Sequence, residues 1–439
     1  MNSLSLNTKR GSSFGISIIL PLLILCAIGI LTLLSTTILP EGGFGDLEIV
    51  YKQILFVLSG FILFFLVSKV DLSYLKHWQS LLIIYLPTLV LLIVTLLFAP
   101  TISNVRRWLV IGGVQIQPAE IAKLVVIIYT AVLMSKKESL NEWFLFGISF
   151  LLTIPYVVLI YLQPNASMSL LTLLIWFFVA FMGLTNPLRN SAVLLVLGFV
   201  LGGFLLGTIT GSLGWYLLII PGVILTIFIF YSQNSWRKAV VISLIFGIFL
   251  GLFSSVAWQG ILQDYQKDRI IAFLNPSETE SDIGFNVNQA RIAIGSGQLV
   301  GKGFGNGTQS KRDFLPEHQT DFIFASFAEE FGLIGSLLLI ALYGYLIVYC
   351  LLIAMDTSKE QFFSLLVLGV GIKLLFEVFI NLGTNMGAIP ATGIPLPLMS
   401  AGGSITVMTL LALGLVQNVK KESDKTKGDV MLQEEFIDS

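Results

Sequence analysis

Long apolar runs recur along the whole of this 439-residue chain and limit its possible folds more than any other feature. A helical run of about 20 apolar residues is long enough to cross the hydrocarbon core of a bilayer. Charged residues make up only 12% of the sequence, whereas a soluble domain carries about 25%. Because the runs continue from end to end, a soluble body with one anchor is excluded. We predict an all-α integral membrane protein, a polytopic bundle of about 10–12 transmembrane helices.

The apolar runs and the basic residues between them predict a topology. We place twelve spans at residues 13–39, 50–69, 79–99, 118–135, 143–162, 168–185, 191–211, 214–231, 239–257, 330–354, 361–381 and 403–419. With the N-terminus inside, most Lys and Arg between spans fall on the inner side, and the short outer loops hold only Lys52, Arg106 and Arg107. By the positive-inside rule both termini are cytoplasmic. Residues 1–12 and 420–439 are then cytoplasmic tails, the latter expected to be disordered, and a large loop at about 258–318 lies outside.

Several common chemistries lack the residues they need. The two histidines, His77 and His318, are too few for a zinc site built on histidine. The two cysteines, Cys26 and Cys350, lie in apolar runs, and we expect them to be inert packing residues. The glycine cluster at 295–307 matches neither nucleotide-binding glycine motif. It is either a flexible surface turn or a loop whose bare backbone lets a bulky ligand approach closely.

Two polar groups lie where the chain enters the membrane from the outer side. Asp321 directly precedes an apolar run, where an unpaired carboxylate costs roughly 2.5–3.5 kcal/mol at full depth. It is either a helix cap or a catalytic group. Pro118 opens a helix on which Glu120 and Lys123 are one turn apart. These two form either a self-neutralising pair or part of a site at the depth of Asp321.

Basic residues on the outer side are candidates for binding an anion. Arg106 and Arg107 precede Trp108 in an outer loop, where they could bind phosphate or contact lipid headgroups beside an interfacial Trp anchor. The large loop adds Lys267, Arg269, Arg291 and Lys302, of which Lys267 and Lys302 fit ordinary solvated charges better. Within the membrane, Lys373 and Glu377 are four residues apart and are expected to pair. Together these groups suit a ligand with an apolar anchor and an anionic head, such as a polyprenyl-diphosphate sugar.

At these residues the chain resembles the SEDS family (shape, elongation, division and sporulation), which includes RodA, FtsW and SpoVE. The resemblance covers nearly the whole chain, and the forms at 307–310 and 314–317 are more similar to the RodA branch than to FtsW. The motifs that carry it lie at residues 107–109, 117–123, 264–269, 273–276, 289–297, 301–303, 307–310, 315–317, 320–324, 329–330, 381–383, 393–397, 400 and 402–404.

The resemblance implies a peptidoglycan glycosyltransferase that polymerises lipid II with inversion and works in the bacterial cell membrane. The implied partner is a class B penicillin-binding protein, no nucleic acid is expected, and the elongation role is favoured over division. Asp321 matches the essential aspartate of the family and would be the general base, held ionised by Lys123, the family's intramembrane lysine. Residues at other characteristic or neighbouring positions are expected to aid catalysis or bind substrate: Glu120, Arg106, Arg107, Trp108, Arg269, Arg291, Glu317 and Thr320.

Four features depart from the family pattern. Residues 163–168 lose the acid of the family motif, Gln319 stands where a histidine is expected, and Ala401 where a tyrosine is expected. Family members usually have ten spans rather than twelve. The charge of the leaving diphosphate could be neutralised by arginines or by a divalent cation, Mg²⁺ or Mn²⁺. A lipid II flippase, or a scaffold that only recruits a crosslinking partner, is the alternative function.

Overall fold

The described part of the chain is almost entirely helical. The structure, a computed structural model, describes residues 15–39, 43–101, 105–185, 266–267, 269, 272–273, 282–309 and 317–437. Within these ranges the elements are α1 (Ile16–Thr36), α2 (Glu48–Val67), a 3-10 helix (Leu72–Lys76), α3 (Trp78–Phe98), β1 (Leu109–Ile111), β2 (Val114–Ile116), α4 (Pro118–Met134), α5 (Glu142–Leu162), α6 (Ala166–Gly183), α7 (Asp282–Ser296), α8 (Ile323–Asp356), α9 (Gln361–Asn385) and α10 (Gly403–Ile437).

The predicted polytopic helical membrane fold is confirmed. In the described residues, eight helices are long and apolar enough to cross a membrane. The helix α4, predicted as a span, has 17 residues and begins with Pro118 at its first position, as expected. The chain divides into two compact units, residues 1–180 with 272–439 and residues 181–271. The predicted spans 191–211, 214–231 and 239–257 lie in the second unit, outside the described residues.

In the first unit, α4 lies among other helices. It contacts α3, α5, α9 and α10, and nearly all of its residues are buried. The helix α9 also packs against α8, and α10 packs along α2. Added Cβ atoms at Gly60 and Gly414 would press on α10 and α2, respectively, so small residues allow these helices to approach closely. Cys26 and Cys350 are both buried and free, as packing residues should be.

Two predicted boundaries are wrong. The helix α8 begins at Ile323, not near residue 330, and it is interrupted at Gly332, which has φ 66° and ψ −164°. The helix α10 continues to Ile437, although residues 420–439 were expected to be disordered. Lys420 contacts Asp424 one turn later at 2.9 Å and Asp356 at the end of α8 at 3.7 Å. Such pairs support a helix that has no apolar periodicity of its own.

A short hairpin leads into α4 and was not predicted. Strands β1 and β2 are antiparallel, with Val110 opposite Gln115, and Gly112 and Gly113 both have positive φ in the turn between them. This is the backbone that a two-residue hairpin turn requires. The hydroxyl of Ser404, at the start of α10, accepts from the backbone N–H of Gln117 at 2.8 Å. The hairpin and this hydrogen bond fix where α4 begins.

Candidate functional site

Four charged side chains form a buried network between α4 and α9. The Nζ atom of Lys123 lies 2.8 Å from Glu120 and 2.5 Å from Glu377, and the Nζ of Lys373 lies 2.7 Å from the second oxygen of Glu377. All four are buried. The predicted pair of Lys373 with Glu377 is therefore confirmed. Glu120 and Lys123 also pair, which was one of their two alternatives, and the bond from Lys123 to Glu377 joins the helices. Two ammonium groups and two carboxylates balance, as a charge network inside a membrane protein requires.

The expected direct pairing of Lys123 with Asp321 is wrong. Among the described residues, Lys123 donates to Glu120, to Glu377 and to the sulfur of Met168, and Asp321 is not one of its partners. Glu377 was not predicted as the third member, because helix periodicity pairs only neighbours on the same helix. Its spacing from Lys373 was the available signal that α9 carries buried charge.

Asp321 lies in the last part of an irregular turn, residues 317–322, that leads into α8. It is half-buried, and the N-cap residue of α8 is the next one, Phe322, which has no side-chain cap. Asp321 therefore does not hold the N-cap position that was the alternative to catalysis. In the same turn, the hydroxyl of Thr320 donates to the carboxylate of Glu317 at 2.7 Å. The structure thus brings the predicted residues Glu317, Thr320 and Asp321 into one turn at the start of α8.

The backbone of this turn is bound by side chains from α9 and from the segment that follows it. The carbonyl oxygen of Asp321 accepts from the Nδ2 atoms of Asn381 and Asn385, both at 2.9 Å. The carbonyl oxygen of Thr320 accepts from the hydroxyl of Ser400 at 2.6 Å. Asn381 and Ser400 belong to motifs that carried the family resemblance, but nothing in the sequence assigned them this contact.

Part of the glycine cluster packs against the interruption of α8. At the interruption of α8, the N–H groups of Lys302 and Gly303 donate to the carbonyls of Glu329 and Glu330 at 3.0 and 2.9 Å. Gly301 has φ 81°, and a Cβ added there would collide with the carbonyl of Glu330. The glycines therefore let the loop pair with backbone groups that the break in α8 leaves without helical partners.

The buried carboxylate of Glu329 binds the same loop. Glu329 accepts from the ammonium of Lys302 at 2.6 Å and from the N–H and hydroxyl of Thr308 at 2.9 and 2.7 Å. The interpretation of Lys302 as an ordinary solvated charge is therefore wrong. Glu330 accepts from the hydroxyl of Ser35 on α1. These contacts fix residues 301–309, which precede the turn that carries Asp321.

The predicted basic residues are distributed over several places. Arg107 donates to the carbonyls of Gln163 and Pro164, so it contacts the loop that departs from the family motif. Arg106 is exposed and reaches the carbonyl of Leu97 at 3.5 Å.

Three further predicted residues remain. Trp108 is half-buried. Arg291 is exposed on α7, and its side chain crosses Gly387, where an added Cβ would lie 2.9 Å from the Cδ of Arg291. Arg291 thus lies near the end of α9 that carries Asn385. Arg269 belongs to the second unit.

Among the residues that the structure describes, no ready-made metal centre accompanies these groups. Across the described ranges, no three His, Cys, Asp or Glu side chains are close enough to hold a metal ion. Mg²⁺ and Mn²⁺ favour oxygen ligands and commonly take several of them from substrate phosphates and water.

Comparison with known proteins decides the family. A family model described as cell cycle protein, covering FtsW, RodA and SpoVE, matches residues 16–210 and 184–425. The chain belongs to this family. The SEDS resemblance inferred from the motifs is therefore confirmed.

Relatives within the FtsW/RodA/SpoVE family share most of their length with this chain. The peptidoglycan glycosyltransferase RodA of Treponema pallidum is 32% identical over 93% of this chain and 98% of its own. The peptidoglycan glycosyltransferase MrdB of Escherichia coli K12 is 29% identical, with 91% and 92% covered. The probable peptidoglycan glycosyltransferase FtsW of Nitrosococcus halophilus is 31% identical, with 85% and 83% covered.

Solved structures share the fold. A chain of a peptidoglycan synthase complex that coordinates polymerization and crosslinking superposes with a TM-score of 0.64 at 24% identity, covering 92% of this chain and 97% of that one. The rod shape determining protein RodA of Thermus thermophilus gives 0.58 at 24% identity, with 94% and 98% covered.

Proposed function

We propose that this chain is a peptidoglycan glycosyltransferase that polymerises lipid II, the undecaprenyl-diphosphate disaccharide-pentapeptide. The observation that carries the proposal is a 29–32% identity to relatives named for this activity over 91–93% of the chain. We place it in the inner membrane of a bacterium with both termini cytoplasmic. Its role is elongation with a class B penicillin-binding protein as partner; a role in division is the alternative.

Asp321 is the proposed general base. The 4-hydroxyl of the acceptor sugar gives its proton to the carboxylate of Asp321 while its oxygen attacks C1 of the donor. The bond from C1 to the phosphate oxygen breaks, and its electron pair leaves with the polyprenyl diphosphate. Attack on the face opposite the leaving group converts the α-linked donor into a β-1,4 glycan. Asp321 is half-buried, so part of the residue is exposed to solvent.

Glu120 and Lys123 support this base indirectly in our proposal. Both are fully buried and ion-paired, so neither is placed to take a proton from a bulky substrate. Lys123 instead holds Glu377 on α9, one helical turn before Asn381, which binds the backbone of Asp321. We therefore assign Glu120 and Lys123 to positioning.

The remaining outer residues are proposed to bind the substrate. Arg106 and Arg291 would neutralise the diphosphate, because a guanidinium group binds phosphate oxygens bidentately. Arg269 stays a substrate-binding prediction from the family resemblance. Glu317 and Thr320, in the same turn as Asp321, would contact sugar hydroxyls.

Two groups and an ion complete the substrate site. We propose that Arg107 shapes the 163–164 loop and that Trp108 lies against the lipid. A Mg²⁺ or Mn²⁺ ion, where used, would take its ligands largely from the diphosphate and water.

A polymerisation assay on the purified chain tests the proposal. Lipid II is incubated with wild type, Asp321→Ala and Asp356→Ala, with and without the partner and with Mg²⁺ or Mn²⁺ varied, and glycan strands are resolved by gel. Asp356 is a matched control at the opposite end of α8. We expect Asp321→Ala to lose polymerisation and Asp356→Ala to keep it. Retained glycan synthesis by Asp321→Ala would reject the base assignment.

Lipid transport is the second candidate, and two observations favour it. Lys373 lies near the middle of α9 and is buried, and α8 is interrupted at Gly332. Buried charges and broken helices are typical of transporters. The test uses vesicles that contain the purified chain and labelled lipid II. Movement of the lipid II across the vesicle membrane without glycan synthesis would support transport over polymerisation.

A further inference from the structure

Asp321 lies outside the regular helix that follows it. It lies in irregular backbone before α8, where Phe322 occupies the N-cap without a capping side chain. A catalytic group has to be held within about 0.5 Å of its productive position, and loops are less precise than helices for this. Contacts from a regular helix would therefore improve its positioning.

Resting on the proposed role of Asp321, we infer that Asn381 and Asn385 are positioning residues that fix its backbone and so aim its carboxylate. Their two amide groups donate to one oxygen, the carbonyl of Asp321, each at 2.9 Å. A carbonyl oxygen has two lone pairs, so these bonds use its full capacity. The peptide that carries the base is held from a regular helix, α9.

Asn385 also replaces the missing cap of α8. Its Oδ1 atom accepts from the backbone N–H of Ala325 at 3.1 Å, the third residue of the helix. This is the N–H that a capping side chain ordinarily satisfies. One side chain therefore binds both the carbonyl of Asp321 and the first turn of the helix that follows, which fixes the angle at which α8 leaves the turn.

Two neighbouring carbonyls of the turn are also bound by residues that follow α9. The hydroxyl of Ser400 donates to the carbonyl of Thr320, and the N–H of Ala401 donates to the carbonyl of Gln319 at 2.8 Å. Three successive carbonyls, 319 to 321, are thus bound by residues between 381 and 401. Asn381 and Asn385 are buried, and in such surroundings hydrogen bonds are strong and costly to leave unmade.

Asn381 further links the base to the buried charges. It follows Glu377 by four residues, so both lie on one face of α9, and its Nδ2 also donates to the carbonyl of Ile394 at 2.9 Å. A shift of α9 relative to α4 would therefore displace the backbone of Asp321.

The test compares two asparagines at the site with a third that has the same chemistry elsewhere. Asn418 on α10 donates from one amide to the carbonyls of Val67 and Val70, so Asn418→Ala is the matched control for Asn381→Ala and Asn385→Ala. All variants are purified as full chains, checked by thermal unfolding, and assayed with lipid II for kcat, KM and the pH profile of kcat/KM.

We expect Asn381→Ala and Asn385→Ala to lower kcat about tenfold to hundredfold, the effect of misplacing a reacting group by about 1 Å. KM should stay within about threefold of the wild-type value, because neither asparagine is proposed to contact lipid II. The acid limb of the pH profile, which reports the base, should move in these variants and stay unchanged in Asn418→Ala. Should Asn385→Ala not be recovered folded, Asn381→Ala decides, since it leaves Ala325 capped.

Two results would overturn the inference. One is a kcat equal to wild type in Asn381→Ala, and the other is a loss no larger than that of Asn418→Ala with an unchanged pH profile. Asp321→Ala in the same assay separates this failure from that of the proposed function. If Asp321→Ala still polymerises, the base assignment fails; if it is inactive while the asparagine variants are unaffected, only the positioning inference fails.

Discussion

Replacing Lys123 by methionine should destabilise the bundle strongly. Lys123 is fully buried and bonded to both Glu120 and Glu377. Glu377 keeps Lys373 as a partner, whereas Glu120 loses the only ion pair that the described residues provide for it. Removing one member of a buried pair leaves an uncompensated charge and costs about 3–5 kcal/mol. We therefore expect Lys123→Met to lower the free energy of unfolding by about that amount.

Three further variants locate the source of this loss. Lys373→Met should cost less than Lys123→Met, because Lys123 still neutralises Glu377. Adding Glu120→Gln to Lys123→Met should restore part of the loss, since the orphaned carboxylate is then neutral, and buried neighbours couple by about 0.5–3 kcal/mol. Lys52→Met is the exposed control: its i,i+4 pair with Glu48 is solvent-accessible and worth about 0.3–0.5 kcal/mol.

Equilibrium unfolding in mixed micelles, followed by tryptophan fluorescence, measures these differences. The reasoning is refuted if Lys123→Met unfolds within about 1 kcal/mol of wild type. It is also refuted if Lys373→Met is the more damaging change, or if Glu120→Gln adds to the loss in full.

Two further predictions concern the loop that pairs with α8. Gly301→Ala should prevent the loop from docking, because the added Cβ would collide with the carbonyl of Glu330. The control is Gly295→Ala in α7, where an added Cβ meets nothing within 4 Å, and it should be neutral or stabilise by up to about 1 kcal/mol. Thermal unfolding distinguishes the two variants, and equal stability would contradict the packing. Glu329→Gln should weaken the bonds to Lys302 and Thr308 and so raise the rate of amide hydrogen exchange across residues 301–309. Glu48→Gln is the exposed control. Unchanged exchange rates would show that the carboxylate does not hold the loop.

The local pairings were predictable because they depend on helix periodicity alone. Residues three or four apart on a helix are neighbours whatever surrounds them, so the pairs of Lys123 with Glu120 and of Lys373 with Glu377 followed from spacing. The start of α4 at Pro118 followed in the same way from the chemistry of proline.

Contacts between distant residues were not predictable from these rules. The bond of Lys123 to Glu377 spans 254 positions, and that of Asn381 to the carbonyl of Asp321 spans 60. The glycine cluster was ambiguous for the same reason, because its partner is the interrupted backbone of α8 around Gly332. The helical extension of α10 beyond residue 419 depends in part on a contact of Lys420 with Asp356 on another helix.

By itself the sequence determined the membrane-spanning helical class, the family and the residue types available for chemistry, since apolar run length, charge and motif order are properties of the chain alone. Which of those residues meet depends on the tertiary packing. The packing register of α9 against α4 and α8 sets the partners of Lys123 and the hold on Asp321, because helix periodicity orients a side chain toward a face but does not specify which residue of another helix lies opposite.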